Sequence, residues 1–145
     1  MQEFISKSES ETEAIGARLA AVLPDGSVVA MYGGLGAGKT AFVRGMARGM
    51  GLNARVSSPT FTIVNEYLGA RSLIHFDMYR LSGADELFDI GWEDYLARGA
   101  VCAVEWSENV EDAFSAMRCA CASKSCPTPD GRSRSRGPRH ADPCF

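Results

Sequence analysis

Between a short apolar, β-branched run (Ser27 to Tyr32) and a stretch of helical periodicity (Lys39 to Met50) stand eight residues, Gly33-Gly34-Leu35-Gly36-Ala37-Gly38-Lys39-Thr40, that fit G-x-x-x-x-G-K-[ST]. A buried strand leading through such a loop into a helix is the context a phosphate-binding P-loop requires, and it restricts the chain to an α/β architecture. The glycines let the backbone curl so that successive N–H groups point inward at phosphate oxygens, and the helix that follows adds its positive dipole end. Leu35, Gly36, Ala37 and Gly38 are therefore expected to line the phosphates. Lys39 adds a charge for the β and γ groups, and Thr40 offers a hard oxygen donor to magnesium. An ordinary flexible turn is the plain alternative, but it leaves Lys-Thr at a helix start unexplained.

The remainder alternates as such a sheet needs. Thr12 to Leu23 spaces Ile15, Leu19 and Val22 or Leu23 as an amphipathic helix, ended by Pro24-Asp25-Gly26. Gly51 is placed to stop the helix that begins at Lys39. Phe61 to Leu68 and Ser72 to Asp77 read as two strands of a hairpin turning at Gly69-Ala70. Ala84 to Leu96 carries two short helical patterns broken near Gly91, and Ala100 to Trp106 is a last buried strand. No apolar run approaches the roughly 18 to 20 residues of a membrane helix, and the acidic start Met1 to Glu13 is unlike a secretory signal. A cytoplasmic protein without a membrane partner is the expectation.

A P-loop needs a further acid to hold the metal or its water, usually at the end of a neighbouring strand. Asp77 ends LIHFD and Glu105 ends VCAVE, so both are candidates at a strand's carboxyl end, where open α/β sheets bind ligands. The Asn-Lys-x-Asp pattern of guanine recognition is absent, which favours ATP over GTP. Ser58-Pro59-Thr60 lies where P-loop proteins often place a loop that senses the γ-phosphate, although a proline turn explains it equally well.

Other reactive residue types carry less. His75, flanked by apolar residues on a strand, reads as a packed or hydrogen-bonded histidine rather than a catalyst. Trp92 and Tyr95 read as core or rim aromatics rather than a stacking platform for nucleic acid. Cys119, Cys121 and Cys126 lack the paired C-x-x-C spacing of a zinc site.

Charge divides the chain in two. Up to Phe114 there are nine Lys or Arg against sixteen Asp or Glu; from Ser115 onward there are six against two. The final 31 residues also hold four of the five cysteines and four of the six prolines, and contain no Leu, Ile or Val. Such a composition offers too little apolar surface to offset its ordering entropy, so the reading is a disordered tail. The fold class expected is α/β, a P-loop NTPase-like sheet flanked by helices, with a domain over 1–112 and an aberrant Arg/Cys/Pro-rich tail over 113–145.

The segments GGLGAGKTAFVRGMARGMG, VSSPTFTIVNEY, HFDMYRL, FDIGWEDY and VEWSE, in this order and spacing, resemble the bacterial TsaE (YjeE) family of small ATPases over about Ser10 to Asn109. The resemblance implies ATP with magnesium and a role in the threonylcarbamoyl modification of adenosine in tRNA, with TsaB and TsaD as partners and tRNA met indirectly through their complex. It implies that Lys39 binds phosphate, that Thr40 and Glu105 hold the metal, that Asp77 is the acid of the HFD motif, and that Thr12 lies near the nucleotide base. Catalytic work falls to Lys39, Asp77 and Glu105, while Ser58 and Thr60 fall in a switch-like loop.

The chain departs from the family pattern at Gly34, where an Asp is common, and at Ala41, where a second Thr is frequent. The resemblance also fades near Asp112, where members continue with further strands. One hypothesis for the change in composition there is a shifted reading frame beyond codon 112, which would leave the sheet with an uncovered edge and lower solubility. It fails if neither alternative frame encodes alternating apolar strands. A different class of function, a nucleotide-dependent binding module with little turnover, follows if these departures abolish hydrolysis.

Overall fold

A computed structural model describes residues 6–32, 37–59, 62–114 and 119–122. Helix α1 spans Glu9–Val22, strand β1 Val28–Met31, and helix α2 Ala37–Gly49. They are followed by β2 (Val64–Tyr67), β3 (Leu73–Asp77), α3 (Ala84–Asp89), α4 (Trp92–Ala97), β4 (Val101–Glu105) and β5 (Cys119–Ala122). Single turns of 3-10 helix cover Ser107–Asn109 and Glu111–Phe114. The five strands form one sheet in the order β2-β3-β4-β1-β5. Strands β3, β4, β1 and β5 run parallel, and β2 joins β3 antiparallel at the edge, completing the expected hairpin.

The alternation of side chains along the strands sorts the core into two layers. Val29, Met31, Leu73, Val101 and Ala103 face α1 and α2, where they meet Leu19, Val43 and Met46. Val28, Ile74, Phe76, Cys102 and Val104 face the other way, against Leu87 and Trp92 of α3 and α4. Trp92 is fully buried with its ring edge-on to Phe76, centroids 5.0 Å apart. The α/β class is therefore as expected, with helices on both faces of a mostly parallel sheet. No described helix is long and apolar enough to cross a membrane.

Local chemistry sets the element ends. Helix α1 begins at Glu9 because the Ser8 hydroxyl caps it, accepting from the Glu11 N–H at 3.1 Å, while the Glu11 carboxylate accepts from the Lys7 N–H at 2.6 Å. That polar first turn lies ahead of the apolar periodicity that starts the sequence reading at Thr12. Between α3 and α4 the chain breaks at Gly91, whose φ of 87° suits glycine. Strand β2 starts at Val64, directly after Ile63 in the left-handed region, φ 69°; Phe61, where the sequence places the strand's start, lies outside the described residues.

Helices α1 and α2 lie side by side in the same direction. Gly45 sits against the Glu13 carbonyl and Gly49 against that of Ala17, so closely that a Cβ on either would overlap the backbone opposite. Arg44 then bridges Glu13 at 2.6 Å and Glu9 at 3.1 Å.

Two short stretches of the expected tail over 113–145 are among the described residues. Phe114 ends a 3-10 turn, and Cys119–Ala122 pairs in parallel with all of β1, from Val28↔Cys119 to Met31↔Ala122. Ladder hydrogen bonds come from peptide groups, so a strand without Leu, Ile or Val can still cover an edge. Strand β1 is thus an interior strand, and among the described residues the sheet's edge on that side is β5. Residues 115–118 and 123–145 lie outside the described residues.

Candidate functional site

The P-loop context is met at both ends: β1 finishes at Met31 and α2 starts at Ala37. Leu35 and Gly36 lie outside the described residues, as does Thr60, whereas Ala37, Gly38, Lys39 and Thr40 form the first turn of α2. The carboxyl ends of β1, β3 and β4 lie side by side. Asp77 and Glu105 are register partners at the ends of β3 and β4, 3% and 5% exposed.

Lys39 reaches this edge. Its Nζ lies 4.5 Å from the centroid of the Trp106 ring, and Trp106 directly follows Glu105. A cation on an aromatic face is worth roughly 0.5 to 2 kcal/mol. Tyr79 packs on Trp106 with centroids 5.0 Å apart. The P-loop lysine and both sequence-predicted acids are thus at one end of the sheet.

Backbone conformation is unusual beside each acid. Trp106 and Ile63 are the non-glycine residues with positive φ among those described, at 56° and 69°. For bulky or β-branched residues this conformation is costly, and it persists only where surroundings enforce it. At Ile63 the enforcing contacts are its N–H donating to the Pro59 carbonyl at 2.7 Å and its carbonyl accepting from the Asp77 N–H at 2.9 Å. The loop containing Ser58 and Pro59 is therefore tied to Asp77 through the backbone. Its start is held by Asn65 Nδ2, which donates to the Ser57 carbonyl at 3.2 Å.

Hydrogen bonds stitch the strand ends together. The buried Ser107 Oγ accepts from the Met31 N–H at 3.1 Å and donates to the Val104 carbonyl at 2.8 Å. The Met78 N–H donates to the Glu105 carbonyl at 3.0 Å, and Asn109 Nδ2 donates to the Met78 carbonyl at 2.8 Å. Asp77 Oδ1 accepts from the Tyr79 N–H at 2.9 Å. Ser107 and Asn109 were missed by sequence reading; polar residues directly after the VCAVEW run were the available signal.

His75 is hydrogen-bonded, in line with its plain reading: Nε2 lies 2.8 Å from Glu105 Oε1, and both side chains are buried. Thr12 sits half-buried on α1 with its hydroxyl donating to the Ser8 carbonyl at 3.1 Å and 2.7 Å from Ser6 Oγ. Those contacts lie within its own helix end. Burial pushes the Cys102 thiol, on β4, up to about 12, so it is no nucleophile at neutral pH.

The donor set is chemically suited to magnesium: a threonine hydroxyl at a helix start and carboxylates at adjacent strand ends are hard oxygen ligands. Among the described residues no three His, Cys, Asp or Glu side chains converge as a metal cage. A cation here would complete its shell with phosphate oxygens and water, as magnesium commonly does.

The model of the family described as "Threonylcarbamoyl adenosine biosynthesis protein TsaE" matches residues 6–130, beyond the point near Asp112 where the motifs fade. The "tRNA threonylcarbamoyladenosine biosynthesis protein TsaE" of Treponema pallidum (strain Nichols) is 42% identical over 106 residues, covering 73% of this chain and 78% of that one. Its namesake in Bacillus subtilis (strain 168) is 45% identical over 103 residues, 70% of this chain and 64% of that one. A solved structure titled "Crystal structure of Bacillus subtilus YdiB" superposes with a TM-score of 0.60 at 37% identity, covering 72% of this chain and 63% of that one.

Proposed function

Because the chain belongs to the TsaE family of tRNA threonylcarbamoyladenosine biosynthesis proteins, we propose that it is a P-loop ATPase of that system, binding ATP with magnesium and acting with TsaB and TsaD. Contact with tRNA is then indirect, through the complex. The observation that carries this reading is the meeting of Lys39, from the first turn of α2, with Trp106 beside Glu105 at the end of β4.

On this reading the N–H groups at the start of α2 and of the preceding loop cradle the phosphates, and Lys39 leaves the indole to neutralise the β and γ oxygens. Thr40 and Glu105 would hold a magnesium ion, which would supply positive charge against the negative charge of the phosphoryl oxygens. Asp77, beside Glu105 and tied to the Ser58-Pro59 loop, orients the attacking water or the metal's own water. Thr12 approaches the base only if the Ser8 and Ser6 contacts rearrange.

The test is steady-state phosphate release from ATP, with and without TsaB and TsaD, alongside Lys39→Ala as a control for contaminating ATPase. Partner-stimulated release that is lost in Lys39→Ala supports the reading. Nucleotide binding without release would favour a binding module instead.

A further inference from the structure

Strand β3 places Leu73, His75 and Asp77 on one face, and β4 places Val101, Ala103 and Glu105 on the same face, toward α1 and α2. His75 is the register partner of Ala103, and Asp77 of Glu105. The small Ala103 side chain leaves the imidazole room to lean along the strand toward Glu105, and Nε2 reaches Oε1 at 2.8 Å. A carboxylate oxygen accepts, so in the Nε2–H tautomer the imidazole is the donor of this bond. Among the described residues His75 Nδ1 has no hydrogen-bond partner, although His75 is 0% exposed. A histidine with one orphaned nitrogen contributes less to stability than an apolar residue of its shape would, because the unmet acceptor offsets the bond that is made. Folding alone therefore does not explain an imidazole at this position.

We propose that His75 is a positioning residue for Glu105. By occupying Oε1 it fixes the carboxylate's rotation, so that Oε2 is the oxygen presented to a cation or its water at the sheet's carboxyl edge. Such outer partners fix a ligand's geometry, and their loss typically costs roughly 10- to 100-fold in metal affinity. The proposal rests on the nucleotide–magnesium reading above, with the added claim that Glu105 is effective only while His75 holds it.

The experiment is Mn2+ binding to the full chain with ADP, followed by electron paramagnetic resonance, on the parent, His75→Leu, His75→Asn and His75→Gln. Metal-free ADP binding and thermal unfolding are measured in parallel. Leu removes the donor, Asn keeps an amide that falls short of Glu105, and Gln carries an amide NH2 at about the distance of Nε2. The expected result is a Mn2+ dissociation constant about 10-fold weaker in Leu and Asn, recovered to within about 3-fold in Gln. ADP binding without metal should stay within about 2-fold throughout. Should His75→Leu fail to fold, the Asn and Gln pair decides alone. Unchanged Mn2+ affinity in folded Asn or Leu chains overturns the proposal while the nucleotide reading stands. A parent chain that binds neither ADP nor Mn2+ overturns both.

Discussion

The ammonium of Lys39 stands 4.5 Å from the centre of the Trp106 indole, so the lysine of the P-loop and the residue after Glu105 touch across the sheet's carboxyl edge. On the proposed nucleotide reading, bound phosphates would compete for the same ammonium, and a phosphate pair is a stronger electrostatic partner than a ring face. Nucleotide should therefore change the emission of Trp106, identified by subtracting a Trp106→Phe chain so that buried Trp92 does not contribute. Lys39→Ala should shift that emission without ligand and show little further change on adding ADP. Identical Trp106 spectra in the parent and Lys39→Ala chains would show that the contact is not populated in solution.

Close approach of α1 and α2 at Gly45 makes a second expectation sharp because two effects have opposite signs. In an isolated helix, Gly to Ala gains about 1 kcal/mol. Here the added Cβ meets the Glu13 carbonyl and Cα, backbone atoms that cannot rotate aside. Overpacking of this kind costs roughly 1 to 3 kcal/mol. Gly45→Ala should lower the urea midpoint with the m-value unchanged; a raised midpoint would mean that the helices separate at little cost.

Elements whose residues state their own periodicity were legible in the sequence. The strand ending in Asp77 and the helix after the P-loop show it, since apolar alternation and helical spacing both report burial. The two acids were legible because each ends an apolar run. Ile63 was not, since a β-branched residue gives no hint of positive φ until the Asp77 N–H and Pro59 carbonyl are seen to hold it. Nor was the Gly45 contact, because the partner is a backbone carbonyl on another helix and leaves no side-chain pattern. Strand β5 escaped for a related reason: Cys-Ala-Cys-Ala carries little apolar signal, and its pairing with β1 uses peptide groups.

Arg71 closes the opposite end of the sheet. Its guanidinium donates from Nη1 to the Ala20 carbonyl at 2.9 Å, from Nη2 to that of Leu23 at 2.5 Å, and from Nε to Asp25 Oδ1 at 3.0 Å. Helix α1 has no basic residue in its last turn, so this arginine supplies the cation for its carbonyl end from the β2–β3 hairpin. Arg71→Ala should cost about 1 to 2 kcal/mol in urea unfolding. Arg71→Lys should recover only a minor part, since a single ammonium cannot match the fork. Full recovery by lysine would reduce the role to charge alone.

Cys102 gives stability a dependence on alkaline pH whose direction is fixed. Burial pushes its thiol from 9.0 up to about 12, so the folded chain holds this proton where the unfolded chain has released it. A group whose native pKa is raised contributes stability that is whole below the unfolded value and is lost as pH rises toward the folded one. The window is thus pH 9 to about 12, and the contribution falls by about 1 kcal/mol between pH 9 and pH 10. Urea unfolding at pH 8, 9 and 10, under reducing conditions, should show the parent losing that much more than a Cys102→Ala chain. The alanine chain should be less stable at pH 8, because the buried sulfur leaves a small cavity. Parallel pH profiles for the two chains would mean that the thiol ionises in the native state as readily as in the unfolded one, and that the core around β4 admits water.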